Sequence, residues 1–547
     1  MGGGSHHLAA LADEAFERFG DRPEALCFEG RWYSSGELHR RLAPIAGGLV
    51  ELGVEPGDRV VVFMANTPEV GVLYNAIWRA GAVATPTIFL LPPPELRHVL
   101  ADSGAKVIVT TPEFLLTVQF AADGVDALEH IVCVGLDTVD EVPGPRPVTD
   151  FAQVEGGDPI GIVARTDDDL AGLLYTGGTT GRSKGVMQTH GAFWTMAKAA
   201  VDHSYREGIT RSLMPLPLSH AYGLGITIAA AHQREPGTSV LMRWFDPAEA
   251  LDLIERHGLQ RALLVPSMLQ MLLGQDLESH DLSTLVTCNS GAAPLGVQTI
   301  RELERRLPWV EVLEGYGLTE SATFAAANQP GNRRVGTVGR PMPGVELRTV
   351  DDDGQDVDEG ETGAAAGETG AAAGETGAAA GETGVAAGEI WVRSPGVMKG
   401  YWNDPEATAA AVTGDGWLRT GDIGRLDEDG FLTILDRKKD LIIRGGFNVY
   451  PSDVEDALVE HPAVAMAGVV GAPDAGKGEE VVAFVQLVEG ATITPDELVA
   501  WSRDRLGGYK YPRRVHLVDA IPLTPVMKLD RKALRARLAD VEPASEG

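Results

Sequence analysis

The sequence predicts an α/β fold built on parallel sheet, and three features predict it. Short apolar runs alternate with segments of helical spacing, the pattern of strand–helix–strand units. One run, Val60–Met64, is apolar at every position, as in a strand buried on both faces. The chain of 547 residues is also too long for one hydrophobic core, so at least two domains are expected. The expected architecture is a large N-terminal α/β domain of several subdomains, one of them β-rich, over residues 1–438. A small α+β domain follows over residues 439–547.

In chain order, Leu8, Leu11, Ala15 and Phe19 share a helical face within His7–Phe19. Leu38, Leu42, Ile45 and Leu49 do so within Ser34–Leu52, where Pro44 predicts a kink. Val60–Met64 leads to a helix at Glu69–Arg79, a strand at Ala82–Thr85, a helix at Pro92–Leu100, and strands at Lys106–Thr110 and Ile131–Val134. Past a glycine-rich stretch, Gly191–Val201 reads as helix. Strands at Ser239–Met242, Ala262–Val265 and Thr284–Asn289 then alternate with helices at Pro247–His257 and Pro266–Leu273. Glu389–Val392, Phe431–Leu435 and Asp440–Ile443 read as the β-rich region, and the charged run Asp436–Lys439 marks the boundary. Beyond it come strands at Val464–Val470 and Glu480–Leu487 and helices at Asp453–Glu460 and Thr494–Leu506.

Residues 359–388 interrupt this order with GETGAAA three times and GETGVAA once. The repeat offers no large apolar residue for a coiled-coil seam, and glycine does not recur every third residue as in collagen. It reads as an insert in a surface hairpin loop, since doubling a loop costs only ~0.6 kcal/mol.

The stretch Tyr175–His190, YTGGTTGRSKGVMQTH, carries the chemistry. Gly177, Gly178 and Gly181 allow tight bends and close approach to a ligand, and successive backbone N–H groups make an anion-binding concavity. Thr176, Thr179, Thr180 and Ser183 add hydroxyls, and Lys184 adds charge. A helix opening at Gly191 would aim its positive end at the same place. The order is not that of a Walker A loop, because Lys184 stands between Ser183 and Gly185. Composition alone leaves a phosphate cradle and a plain turn both open.

The net charge of −32 argues against nucleic acid and against an anionic membrane surface as partners. Cys27, Cys133 and Cys288 are scattered without CxxC spacing, which fits a reducing cytoplasm and gives no zinc pattern. The N-terminal segment has no basic and long apolar signal-peptide pattern. No apolar run reaches the ~18 residues of a membrane span.

Tyr175–Gly185 resembles the signature loop of the adenylate-forming superfamily, in its acyl- and aryl-CoA synthetase branch. Gly177 and Ser183 replace the Ser and Pro of the usual form. Gly315–Glu320 (GYGLTE), Thr420–Gly424, Asp436–Gly446 and Pro522–Lys528 agree in order and spacing. The resemblance implies an acid–thiol ligase that joins a carboxylic acid to AMP with release of pyrophosphate, then passes the acyl group to CoA. It implies ATP, Mg²⁺ and coenzyme A, a C-terminal domain that swings about Lys439, and leaves a homodimer open. Thr176–Lys184 would hold the β- and γ-phosphates, Thr319 the α-phosphate, and Glu320 the Mg²⁺. Tyr316 would stack on adenine with Gly291, Ala292 and Ala293 opposite, beside Gly317. Asp422 would take the ribose hydroxyls, with Arg437 in support. Lys528 would contact the reacting carboxylate, although Met527 stands where the family usually has glycine. Gly445 and Gly446 would line the thiol channel, with Phe447 and Arg444 as CoA contacts. Arg503, Arg505, Lys510, Arg513 and Arg514 form a basic cluster that either meets CoA phosphates or is a solvated face.

The acid pocket is expected at His220, Tyr222, Gly223, Val265, Asn289, Gly315, Leu318 and Thr323. Peptide-synthetase adenylation domains carry an Asp near the His220 position for the substrate ammonium, so an amino acid is disfavoured. A fatty or aryl acid is preferred. Two alternatives remain: an adenylating enzyme that loads a carrier protein, and a silent nucleotide- or acyl-binding protein.

Overall fold

The computed structural model describes residues 6–136, 144, 146–176, 182–357, 387–474, 476–524 and 527–541. Seven strands form the first sheet, in the order Val148–Asp150, His130–Cys133, Val107–Thr110, Arg59–Phe63, Val83–Pro86, Leu170–Thr176 and Lys184–Thr189. Its pairs are parallel except the last, an antiparallel hairpin. Val60 to Phe63 are wholly buried because successive side chains leave a strand on opposite faces. Val60 and Val62 enter the core shared with the second sheet. Val61 and Phe63 enter another, under the helices Pro93–Ser103 and Leu115–Ala122.

The second sheet places Arg211–Met214 between Thr238–Leu241 and Arg261–Leu264, with Thr287–Ser290 and Glu311–Tyr316 beyond, all parallel. Parallel order brings the C-terminal ends of these strands, and the loops after them, to one edge. A four-stranded antiparallel sheet follows, Glu346–Val350, Gly388–Arg393, Leu418–Leu426 and Leu432–Arg437. The repeat joins its first two strands, which are adjacent and antiparallel; residues 358–386 themselves lie outside the described residues. The last sheet pairs Phe447–Val449, Ile442–Arg444, Gly478–Leu487 and Val464–Asp474, with Arg514–Leu517 parallel to Gly478–Leu487. Val481, Ala483 and Val485 pack under the helices Pro451–Val459 and Pro495–Arg503. Val482 and Phe484 pack under Arg531–Val541. The mixed α/β class read from the sequence holds.

Two local expectations are corrected. Ser34–Leu52 is not one kinked helix but two, Ser35–Arg40 and Leu42–Glu51. Ser34 caps the first by accepting from the Glu37 N–H at 3.0 Å. Pro44 falls in the first turn of the second, where its missing N–H costs nothing. The helix placed at Gly191–Val201 runs from His190 to Ser204, and the strand Lys184–Thr189 separates it from the glycine loop. Its positive end therefore sits at the wrong end of a strand to serve a phosphate at the loop.

Candidate active site

The strands on either side of the glycine stretch pair with each other antiparallel. Thr176 pairs with Lys184 across Leu170–Thr176 and Lys184–Thr189, while Gly177, Gly178, Thr179, Thr180 and Gly181 lie outside the described residues. The hairpin is pinned at its base. The Tyr175 hydroxyl donates to Asp102 at 2.6 Å, and the Trp402 N–H donates to the Gly185 carbonyl at 2.7 Å. Lys184 is half-exposed, with its Nζ 3.6 Å from the Asp404 carboxylate and 5.1 Å from the Tyr401 ring centre. The site's first cation thus rests on a segment that sequence reasoning passed over.

That segment, Gly396–Asp404, also holds Glu320. The strand Glu311–Tyr316 ends in Gly317 and Leu318, and a single 3₁₀ turn at Thr319–Ser321 presents Glu320. A Cβ on Gly317 would lie 1.8 Å from the Thr323 carbonyl oxygen, so only glycine fits this bend. Gln188 Nε2 donates to the Thr319 carbonyl at 2.8 Å, and the Met398 N–H donates to that of Glu320 at 2.9 Å. The Tyr401 hydroxyl donates to Glu320 Oε1 at 3.0 Å. Withdrawal from water raises the Glu320 pKa above its ordinary value, against the Tyr401 bond, and the Asp422 charge adds to the rise. Tyr401 and Asp404 carry no periodic signal; only the Gly, Asn and Pro punctuation of Gly400–Pro405 marked a turn there.

Asp422 is buried on the strand Leu418–Leu426. The Tyr316 hydroxyl donates to its Oδ2 at 2.7 Å, and Arg437 Nε lies 3.6 Å from its Oδ1. Burial raises its pKa and Arg437 opposes the rise. The residues expected to form the acid pocket begin at a helix cap. His220 caps the helix Ala221–Ala231, its Nδ1 accepting from the Tyr222 N–H at 3.2 Å. Burial and the Lys528 charge depress its pKa to about 3. Its imidazole is thus held neutral while it caps the helix. A small cavity brings together His220, Tyr222, Gly223, Val265, Ala292 and Lys528.

Lys528 is the convergence point. Burial in the cleft, then the Arg437 charge, depress its pKa to about 8, while Asp422 and Glu320 oppose the fall. Next to it, Met527 has φ 59°, the left-handed region that favours glycine. The Met527 side chain packs on the main core, and its carbonyl accepts from the Ser267 hydroxyl. Thr176, Lys184, His220, Asn289, Gly291, Ala293, Gly315, Leu318, Thr319, Glu320, Asp422, Arg437, Lys439 and Lys528 all line one connected cleft of about 2310 Å³. It runs on into surface grooves as far as Phe16 and Ser35.

The cleft does not include Gly445, Gly446 or Phe447. The two glycines, at φ 59° and 83°, form the turn of the hairpin Ile442–Arg444 and Phe447–Val449, a geometry that suits left-handed residues. Phe447 is exposed and stacks on Tyr509 at 4.9 Å between ring centres. Arg444 is not free for a ligand: it is buried against Glu480, with Nη2 3.0 Å from Oε2. The basic cluster is largely neutralised too, Lys510 by Asp453 at 2.9 Å and Arg505 by Glu460 at 3.4 Å. Among the described residues no three His, Cys, Asp or Glu side chains converge on a metal position, and no helix is long and apolar enough to cross a membrane.

The AMP-binding enzyme family model matches residues 12–368, and the AMP-binding enzyme C-terminal domain model matches residues 453–528. The chain belongs to the AMP-binding enzyme family. Within this family it is similar to the feruloyl-CoA synthase of an Amycolatopsis species, at 36% identity over 92% of this chain and 93% of that protein. It is also similar to the long-chain-fatty-acid–CoA ligase of Bacillus subtilis (strain 168), at 33% identity over 96% of this chain and 94% of the relative. Among solved structures it is similar to ATP-bound MatB from Rhodopseudomonas palustris, with a TM-score of 0.82, 30% identity, and coverage of 98% of this chain and 100% of that one. The chain is an enzyme of the family's acyl-CoA synthetase/ligase branch.

Proposed function

We propose that the protein is an ATP-dependent carboxylic acid–CoA ligase that forms an acyl-adenylate, with a fatty or aryl acid as substrate, acting in the cytoplasm. The observation that carries this reading is the position of Lys528. A cation from the far end of the chain meets Glu320, Asp422 and Arg437 electrostatically and touches the wall formed by His220, Val265 and Ala292. In the first step a carboxylate oxygen bonds to the α-phosphorus of ATP, and the bond from that phosphorus to the β-bridging oxygen breaks. Two anions must approach, so placed positive charge is the main catalytic need. Lys528 would lie between the acid and the α-phosphate, with Thr319 on the same phosphate. Thr176–Lys184 would hold the departing pyrophosphate. Asp422, braced by Tyr316 and Arg437, would accept from the ribose, with the ring of Tyr316 against adenine.

Mg²⁺ fits this donor set. Glu320 faces the cleft beside Thr319, and Mg²⁺ is usually bound by one or two carboxylates plus substrate phosphates. Bound there, it would neutralise phosphate charge. In the second step the thiol sulfur bonds to the acyl carbon, AMP leaves and the thiol proton is lost. We take residues 439–547 as the unit that turns about Lys439 for this step, exchanging Lys528 for the Gly445–Phe447 hairpin, a hinge closure.

The test separates the half-reactions. Lys528→Ala is expected to abolish acid-dependent ATP–pyrophosphate exchange while still forming thioester from supplied acyl-adenylate and CoA. A full exchange rate in that variant overturns the assignment. Thioester formation with a carrier protein and none with free CoA would move the protein to the carrier-loading class.

A further inference from the structure

Resting on the ligase reading, the geometry points to Arg261 as the specificity-determining residue of the acid pocket: it reads a second oxygen function at the far end of the substrate acid. Arg261, Leu263 and Val265 follow one another at every second position of one extended segment, so they share a face of the sheet. The Val265 end adjoins Lys528, His220 and Ala292. Arg261 and Leu263 line the large cleft further back along this strand, with Asn289 on the neighbouring strand. Four residues of strand set Arg261 about 13 Å below the Val265 level, the reach of a medium-length acyl chain or a single arylacrylate.

The Arg261 Nε is sealed from solvent, and its guanidinium makes no hydrogen bond or ion pair with any described side chain or carbonyl. Arg79, Arg306, Arg444 and Arg531 each face a carboxylate. Directly beside Arg261 in register, Thr287 Oγ1 is also buried without a partner, as is Asn289 Oδ1 two residues on. Three orphaned polar groups on one patch of sheet are costly, because each buried group left unpaired keeps its full desolvation penalty. A guanidinium cannot shed its charge to escape that cost. The Arg261 charge reaches Tyr222, whose hydroxyl burial otherwise pushes upward in pKa. A hydrocarbon tail would leave all of this unpaired; a terminal carboxylate or a phenolic or alcoholic oxygen would pair it.

The experiment uses the full chain and matched acids: octanoate against octanedioate, and cinnamate against 4-hydroxycinnamate, read as kcat/KM for AMP release with CoA. The wild type is expected to favour the oxygen-bearing member of one pair by at least tenfold, and which pair responds tells carboxylate from phenol. Arg261→Met should bring that ratio to unity or below with KM for ATP unchanged, and Arg261→Lys should restore part of it. Equal or better use of the hydrocarbon member by the wild type overturns the inference, even if the Met variant fails to fold. So does an Arg261→Met enzyme that keeps the wild-type ratio. No AMP release from any acid instead refutes the ligase reading, and the inference falls with it.

Discussion

In the proposed reaction Lys528 would tie the first chemical step to a titration. Its ammonium lies at about 8 in place of 10.5, chiefly through burial and secondarily through the Arg437 charge. A depression of that size is worth ~3 kcal/mol of preference for the neutral amine. With the ligands absent, docking the charged lysine is disfavoured below pH 8, and the penalty is relieved as pH rises from 8 towards 10.5. Catalysis asks for the opposite form, since only the ammonium stabilises the charge of two meeting anions. The profile of kcat/KM reports the free enzyme. Acid-dependent ATP–pyrophosphate exchange at subsaturating ATP is therefore expected to hold to about pH 7.5 and decline above, with about a tenth remaining at pH 9. Lys528→Arg keeps its charge throughout this range, so its plateau should be lower but its falling limb should move beyond about pH 10. The assay is an initial-rate series at constant ionic strength. A flat wild-type profile through pH 9.5, or a limb at the same pH in Lys528→Arg, refutes the reasoning.

Tyr401→Phe removes the hydroxyl that donates to Glu320 at 3.0 Å. Hydrogen bonds to charged groups are worth ~1.5–3 kcal/mol, so exchange at subsaturating Mg²⁺ should fall at least tenfold with the circular dichroism spectrum unchanged; an unaltered Mg²⁺ dependence counts against the role of Glu320. Glu314 is buried, and its carboxyl is raised from 4.5 to about 8 by burial. The unfolded chain ionises this group first, so its contribution is intact below 4.5 and is lost as pH rises towards 8. Glu314→Gln should raise stability by as much as ~3 kcal/mol at pH 7 and flatten the decline of Tm between pH 5 and 8, read by thermal melts; a lower Tm at pH 7 sinks it.

Much of the fold was legible because buried strands announce themselves. The Val60–Met64 run, the strands at Ala262–Val265 and Thr284–Asn289, and the cap-to-helix signals needed only local patterning, since burial of both faces or one is written into apolar spacing. Legibility failed where a neighbour in space decides. The helix after the glycine loop is legible in its sequence, but the intervening strand denies it a phosphate role, because Lys184–Thr189 looks like loop until it pairs with Leu170–Thr176. Arg444 looked like a free cation until Glu480 closed on it. Tyr401 and Asp404 were invisible, as neither periodicity nor charge runs single them out.

By itself the sequence determined the kinds of groups available: a glycine- and hydroxyl-rich loop with one lysine, lone carboxylates in turns, and a lysine near the C-terminus. Those follow from composition and short spacing, which local physics reads. Only the tertiary structure decided which of them share a cleft. Lys528 shares a cleft with Asp422 and Glu320 because its loop packs against segments roughly one hundred and two hundred residues earlier in the chain. Among the described residues, no carboxylate is folded within ion-pair reach of Arg261. Pairing over such separations is set by how the sheets pack, and an electrostatic partner leaves no mark on the pattern of its own strand.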